Sequence, residues 1–256
     1  MRLESAGKTH VGMKRNHNED NYLLLPEESL FCVADGMGGH SSGEIASGIA
    51  VNEVKEFFKY TAKDRDATWP FKMDKNRNYD ENRLSTAVKV ANSRIFETSQ
   101  AEAKYRGMGT TIVSCYFVEG ATLVGHVGDS RVYRYIAAEQ KLVQVTEDHS
   151  LLNDYIKAKK LTPEEIENFP HKNVIVRALG MKDSVAVDVS RIEPQEDDIF
   201  LLCSDGLSGM VSDPRMAEIL AKQEDLETAA GQLIDAANAA GGNDNVTCIL
   251  IRWHAQ

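Results

Sequence analysis

The run Thr110-Thr111-Ile112-Val113-Ser114-Cys115-Tyr116-Phe117-Val118 ends at Glu119-Gly120, and the next run, 122–127, ends at Gly128-Asp129. Runs 131–136 and 142–146 follow. All are rich in the β-branched and aromatic residues that suit strands. The breaks between them are too short for a crossover, so the pattern predicts antiparallel pairing in a meander.

Working outward, Ser41 and Glu44 have capping-box spacing, which predicts a helix starting near Ser41. Ile45, Ala46, Ile49, Val54, Phe57 and Phe58 give it an apolar stripe. A second helix is predicted over about 82–105, with Leu84, Ala87, Val88, Ala91 and Ile95 on one face. The polar segment 60–82 between them, with Trp69-Pro70 at its middle, reads as an extended surface loop within one domain, 1–256. Downstream, 151–160 and 163–169 read as short helices, the second capped by Thr162 with Pro163 first. Strands are predicted at 185–189, 199–203 and 246–252, with two helices before the last, the first entered at Asp213-Pro214. Antiparallel strands with helices grouped in pairs predict an α+β layered sandwich.

Composition narrows the function. A net charge of −10 disfavours a general nucleic-acid binder, which is usually basic. No apolar run approaches the ~18 residues of a membrane span, and Met1-Arg2-Leu3-Glu4-Ser5 lacks a secretory apolar stretch. A cytoplasmic protein is expected. Cys32, Cys115, Cys203 and Cys248 each lie inside an apolar run with no Cys-x-x-Cys pair, so they read as reduced, buried thiols. His126 and His149 read as hydrogen-bonded structural histidines.

The chemistry lies in the carboxylates. Leu30-Phe31-Cys32-Val33-Ala34 runs into Asp35-Gly36, and 123–127 runs into Gly128-Asp129. Run 199–203 leads into Ser204-Asp205-Gly206. Asp244 precedes the last strand, and Glu19-Asp20 precedes Tyr22-Leu23-Leu24-Leu25. Taken singly, each Asp-Gly is ordinary turn chemistry. Taken together, the acids stand at the mouths of apolar strands and would converge if the sheets bring those ends together. Clustered carboxylates repel unless cations neutralise them. Oxygen ligands with no Cys or His partner suit Mg²⁺ or Mn²⁺.

The motifs Arg15-Asn16-His17-Asn18-Glu19-Asp20, Ala34-Asp35-Gly36-Met37-Gly38-Gly39-His40, Gly128-Asp129-Ser130-Arg131, Ser204-Asp205-Gly206 and Asn243-Asp244-Asn245-Val246-Thr247 resemble, in order, those of the metal-dependent serine/threonine protein phosphatases of the 2C type, the PPM family. Gly107-Met108-Gly109-Thr110-Thr111, Asp148-His149-Ser150 and Arg177-Ala178-Leu179-Gly180 match as well. The Met-Gly-Gly-His run after Asp35-Gly36 resembles the bacterial branch. The resemblance implies a four-layer sandwich: two central, mostly antiparallel sheets flanked by helix pairs, with a metal cleft at one edge. It implies that Asp35 bridges two Mn²⁺ or Mg²⁺ ions, that Gly36 gives one a carbonyl, and that Asp205 and Asp244 hold the other. It further implies that Glu19 and Asp20 contact metals or their waters. By the same resemblance Arg15 is expected to bind the substrate phosphate, and Asp129 with Asp205 to hold a third, weaker ion. Segment 151–176 becomes a flap beside the cleft. Implied partners are phosphorylated proteins, including a serine/threonine kinase, for a monomer, and the charge and apolar runs read above lead us to expect neither nucleic acid nor membrane as a partner.

Three alternatives are weaker. A cysteine phosphatase needs Arg six positions after Cys, and Gly38, Ala121, Gly209 and His254 stand there. Gly39-His40-Ser41-Ser42-Gly43 fits the G-x-S-x-G pattern, but the elbow must follow its strand at once, and 35–38 intervene. A non-catalytic binding module that keeps the fold would usually have lost metal acids, and every expected acid is present.

Overall fold

The computed structural model describes residues 1–38, 42–64, 67–159, 161–167, 169–170, 174–222 and 225–255. In chain order the elements are β1 (Arg2–His10), β2 (Asp20–Leu25), β3 (Leu30–Met37), α1 (Ser42–Lys63) and α2 (Tyr79–Ala101). Next come β4 (Gly109–Thr110), β5 (Ile112–Val118), β6 (Ala121–Val127), β7 (Arg131–Ile136) and β8 (Lys141–Gln144). They are followed by α3 (Leu151–Lys159), α4 (Pro163–Glu167), β9 (Asp188–Ile192) and β10 (Ile199–Cys203). The chain closes with α5 (Asp205–Ser208), α6 (Asp213–Lys222), α7 (Leu226–Ala239) and β11 (Val246–His254).

The strands form two antiparallel sheets, ordered β1-β11-β10-β7-β8 and β2-β3-β5-β6-β9, with β4 pairing the end of β3. Side chains alternate between faces along each strand, and both faces of the inner strands β3, β5, β6 and β10 are buried. Phe31, Val33, Val113, Phe117, Phe200, Leu202 and Ile249 meet between the sheets. Their neighbours Leu30, Cys32, Ile112 and Leu123 turn the other way, onto a core shared with α1 and α2. Leu201, Cys203, Cys248 and Leu250 do the same for α6 and α7. Four layers follow, as the resemblance implied.

Several local expectations are corrected. The 110–146 stretch is not one meander. β5 and β6 pair as expected, but β7 belongs to the other sheet. The Gly128-Asp129 break carries the chain across the sandwich instead of folding it back. Gly128 has φ +114°, and a Cβ there would stand 2.6 Å from the Thr111 side chain. The strand expected over 110–118 is interrupted at Thr111. β1 was not anticipated, because it is an edge strand whose only buried residue is Ala6. Asp35 and Gly36 lie inside β3, paired with Asp20 and Thr110, and not in a turn.

The strand expected over 185–189 is β9, a few residues later. α2 starts earlier than expected, at a capping box between Asn78 and Glu81, and ends before a separate turn at 103–105. The polar loop is accordingly shorter, 64–78, and is anchored by Trp69 against Phe57 and Tyr79. Ile45 is exposed, so the α1 stripe is narrower than predicted, while Ala46, Val54, Phe57 and Phe58 are buried. Ser41, the predicted cap, lies outside the described residues, as do His40 and Lys160. Thr162 does cap α4, in reciprocal bonds with Glu165.

The inter-sheet layer holds the two halves of the molecule together. Phe200 is fully buried in it, edge-on to Phe117 at 5.3 Å. Phe200→Ala is expected to cost about 3–5 kcal/mol, read as a lowered urea midpoint with an unchanged slope.

Candidate active site

The acids meet at one edge of the seam between the sheets. Asp20 opens β2 and stands directly across the ladder from Asp35 on β3. Like charges in that position are destabilising, and the backbone around them is held firmly. The Asp35 carbonyl accepts from Thr111 N at 2.9 Å and from Thr110 Oγ1 at 2.8 Å. Asp35 N donates to Thr111 Oγ1 at 3.1 Å. The interruption at Thr111 therefore has a structural task. Gly36 N donates to the Glu19 carbonyl at 3.1 Å, and a side chain at Gly36 would collide with the carbonyl of Gly43 in α1. Only glycine lets α1 approach this strand so closely.

The other sheet supplies Asp205 and Asp244. Asp205 is the first residue after Ser204, which ends the β10 run. Asp244 precedes β11, on a loop pinned by Asn245. The Asn245 amide donates to the Val11 and His17 carbonyls at 2.9 and 2.8 Å and accepts from Glu19 N at 2.8 Å. Arg15 Nη2 donates to Asp244 Oδ2 at 2.6 Å. Asp129 lies on the crossing from β6 to β7. With Arg131, Asp148, Asp205, Asn243 and Asp244 it lines a cavity of about 370 Å³. Arg131 forks onto Asp148, with Nε and Nη2 at 2.9 and 2.7 Å from the carboxylate.

The electrostatics are those of crowded acids. Burial pushes Asp35 well above the usual carboxylate range, and the charges of Asp20, Asp205, Asp129 and Asp244 add to it. Burial raises Asp20 to about 6, against hydrogen bonds from Thr247 and Ser204. Asp129 rises to about 7, through burial and then the Asp205 charge. Asp205 is raised by burial and Asp244, and a hydrogen bond shared with Asp35 partly offsets this. Arg15 is raised by its bond to Asp244.

Of the predicted residues, Asp20, Asp35, Asp129, Asp205 and Asp244 are thus within one another's field, and Arg15 reaches Asp244. The Glu19 carboxylate instead accepts from Gly43 N at 3.2 Å, at the start of α1. Sequence reasoning assigned no role to Thr111, Ser204, Asn245 or Thr247, which hold the acids in place. All four sit inside or beside the quoted motifs. His126 and His149 are buried and hydrogen-bonded, as expected.

This donor set fits hard divalent cations. Asp20 Oδ2 accepts from Ser204 Oγ and Thr247 Oγ1 at 2.8 and 2.7 Å. Its Oδ1 is buried with no partner among the described residues, and so is Asp129 Oδ1. Buried carboxylate oxygens without hydrogen bonds are costly. A cation of oxygen preference satisfies them and cancels the repulsion together.

The comparisons agree with this chemistry. The family model described as Protein phosphatase 2C matches residues 6–250. The chain is 35% identical to the "Serine/threonine phosphatase stp" of Listeria monocytogenes, over 97% of this chain and 95% of that protein. It superposes on the serine/threonine phosphatase PstP/Ppp of Mycobacterium tuberculosis with TM-score 0.85 and 31% identity, covering 99% of each chain. It also superposes on a PstP catalytic domain in complex with two manganese ions, with TM-score 0.79, 30% identity and 99% of each chain covered.

Because Asp129 is raised to about 7 and Asp20 to about 6, part of the cluster is protonated at pH 6.5, and Mn²⁺ binding there should release protons. Calorimetry at pH 6.5 in buffers of different ionisation enthalpy should show that release, and it should be smaller at pH 8.5. The apparent affinity should fall as pH drops below about 7.

Proposed function

The chain belongs to the protein phosphatase 2C family, and we propose on that premise which of its residues carry the family's reaction. The protein hydrolyses phosphoserine and phosphothreonine in proteins, using Mn²⁺ or Mg²⁺. When bound, a pair of such ions supplies an acidic water and neutralises phosphoryl oxygens. We assign the ions to Asp35, the Gly36 carbonyl, Asp205 and Asp244, with Asp20 and Glu19 in contact directly or through water. Asp129 with Asp205 would hold a third.

The chain's own contribution is position and charge. Thr110, Thr111 and Asn245 fix the backbone from which the acids project, so their geometry is set before substrate arrives. Arg15 stands at the rim, its guanidinium paired with Asp244 and half-exposed. A planar fork of that kind binds two phosphate oxygens in parallel. Met37, directly after Asp35-Gly36, brings no proton to the leaving alkoxide. The observation that carries this reading is the pair of buried oxygens on Asp20 and Asp129 that have no hydrogen-bond partner among the described residues.

We read the chain as one catalytic domain spanning 1–256, with 151–176 as a flap beside the cleft. The substrates are phosphorylated proteins, and a serine/threonine kinase among them is our inference from the resemblance, as is a monomeric state. Among the described residues no helix is long and apolar enough to cross a membrane. The free, buried cysteines support a cytoplasmic setting.

A phosphothreonine peptide incubated with no metal, with Mn²⁺, with Mg²⁺ and with added EDTA tests the reading. Turnover only with metal, abolished by EDTA, is expected. Folded, metal-binding protein without turnover on several phosphopeptides would favour a binding module. Asp35→Asn should lower kcat by about 100-fold or more, and Arg15→Lys should lower kcat/KM by about 10-fold or more as the fork is lost.

A further inference from the structure

A second polar cluster lies behind Asp129. His126 on β6 and Asp188 on β9 are cross-strand partners, and the His149 ring stacks on His126 at 4.6 Å. His126, His149 and Asp188 lie within metal-binding reach of one another. Both imidazoles are buried, and burial pushes both below the ordinary histidine range.

Two histidines and a carboxylate have the composition of a zinc site, but the hydrogen bonds argue otherwise. Gly128 N–H donates to His149 Nδ1 at 3.0 Å. A neutral ring that accepts at Nδ1 carries its proton on Nε2. That proton is donated to Asp188 Oδ2 at 3.0 Å. A cation at Nε2 would drive the proton onto Nδ1, directly against the Gly128 N–H. Arg177 Nη1 already puts a positive charge there, 3.0 Å from Nε2 and 2.8 Å from Asp188 Oδ1. The ring is therefore a hydrogen-bond bracket.

What it brackets is the residue before Asp129. The His149 ring takes the Gly128 N–H, and the His149 backbone N–H donates to the Gly128 carbonyl at 2.9 Å. Both backbone polar groups of this glycine, at φ +114°, are thus held by one residue. On its other side His149 grips the end of the 151–176 segment. Its carbonyl accepts from Val176 N at 2.9 Å, and Arg177 follows in the same network. Ser150 and Ile175 form a bridge beside it.

We propose that His149 is a positioning residue that aims Asp129 at the acid cluster and ties it to the end of the flap. The ring holds Gly128 and Asp188 while the backbone carbonyl holds Val176, so ion binding at Asp129 and order at the flap's end are coupled through one residue. The proposal rests on the assignment of Asp129 to a third ion.

Mn²⁺ calorimetry, with amide hydrogen exchange over 151–176, separates the two halves of the bracket. The variants are Asp129→Ala, His149→Asn, His149→Gln, His149→Ala and Asp188→Ala. Asparagine puts an acceptor near Nδ1 and abandons Asp188. Glutamine reaches toward Asp188 and abandons Gly128. Asp129→Ala should remove the weak Mn²⁺ event and leave the tight ones. His149→Gln should weaken that event about 10-fold, while His149→Asn stays within about 3-fold of the parent, a loss typical of groups that orient metal ligands. His149→Asn and Asp188→Ala should speed exchange of the Val176 amide. Asp188 is half-exposed, so its variant tests the tether even where a His149 variant folds poorly.

Parent-like weak binding in His149→Gln, or His149→Asn as weak as His149→Ala, would overturn the bracket on Asp129. Unchanged Val176 exchange in Asp188→Ala would overturn the tie to the flap. A weak event that survives in Asp129→Ala would remove the premise, and the proposal with it, which distinguishes the two failures.

Discussion

Mutual repulsion among buried carboxylates is the constraint on which the rest of this structure depends. Asp35 feels the charges of Asp20, Asp129, Asp205 and Asp244 together. Hydrophobic burial alone would never bring them there, because each gains unfavourable neighbours and the buried ones lose solvation. A divalent cation reverses the sign of that interaction. Any ligand that binds the folded chain and not the unfolded one also stabilises it by mass action. The acid cluster is therefore a local instability that its own ligand removes.

The sandwich supplies the force that keeps the acids together. Asp20 and Asp35 come from one sheet, Asp205 and Asp244 flank strands of the other, and Asp129 lies on the crossing between them. The apolar layer between the sheets fixes the spacing of the two edges. Close backbone approach fixes the rest. A side chain at Gly36 would strike the Gly43 carbonyl, and one at Gly206 would strike that of Asn245. Asn245 bonds three separate backbone groups, so the loop before β11 cannot shift without breaking all of them.

How much of this was legible in the sequence follows from the range of each signal. The acids were legible because each sits where an apolar run starts or stops, a local pattern that survives without knowledge of the fold. The sheet partition was not. A short turn forces antiparallel pairing only if both strands stay in one sheet, and Gly128-Asp129 switches sheets instead. The same misreading hid why Asp129 lies where it does. β1 escaped notice because an edge strand with one buried side chain carries no alternation to read. The start of α2 was readable in Asn78 and Glu81, whose spacing is that of a capping box. The residues that hold the acids, Thr111, Ser204 and Thr247, were invisible as such. A hydroxyl in or beside a strand gives no sign that its partner lies on another element, as when Thr247 bonds Asp20 across the seam.

The central claim is that this seam of acids is built around divalent cations. Anomalous diffraction at the manganese edge, from crystals of this protein grown with Mn²⁺, tests it most directly. Peaks are expected among Asp35, Gly36, Asp205 and Asp244, with a weaker one beside Asp129. Catalytically active crystals with no anomalous density in the cleft, or with the ions bound elsewhere, would contradict it.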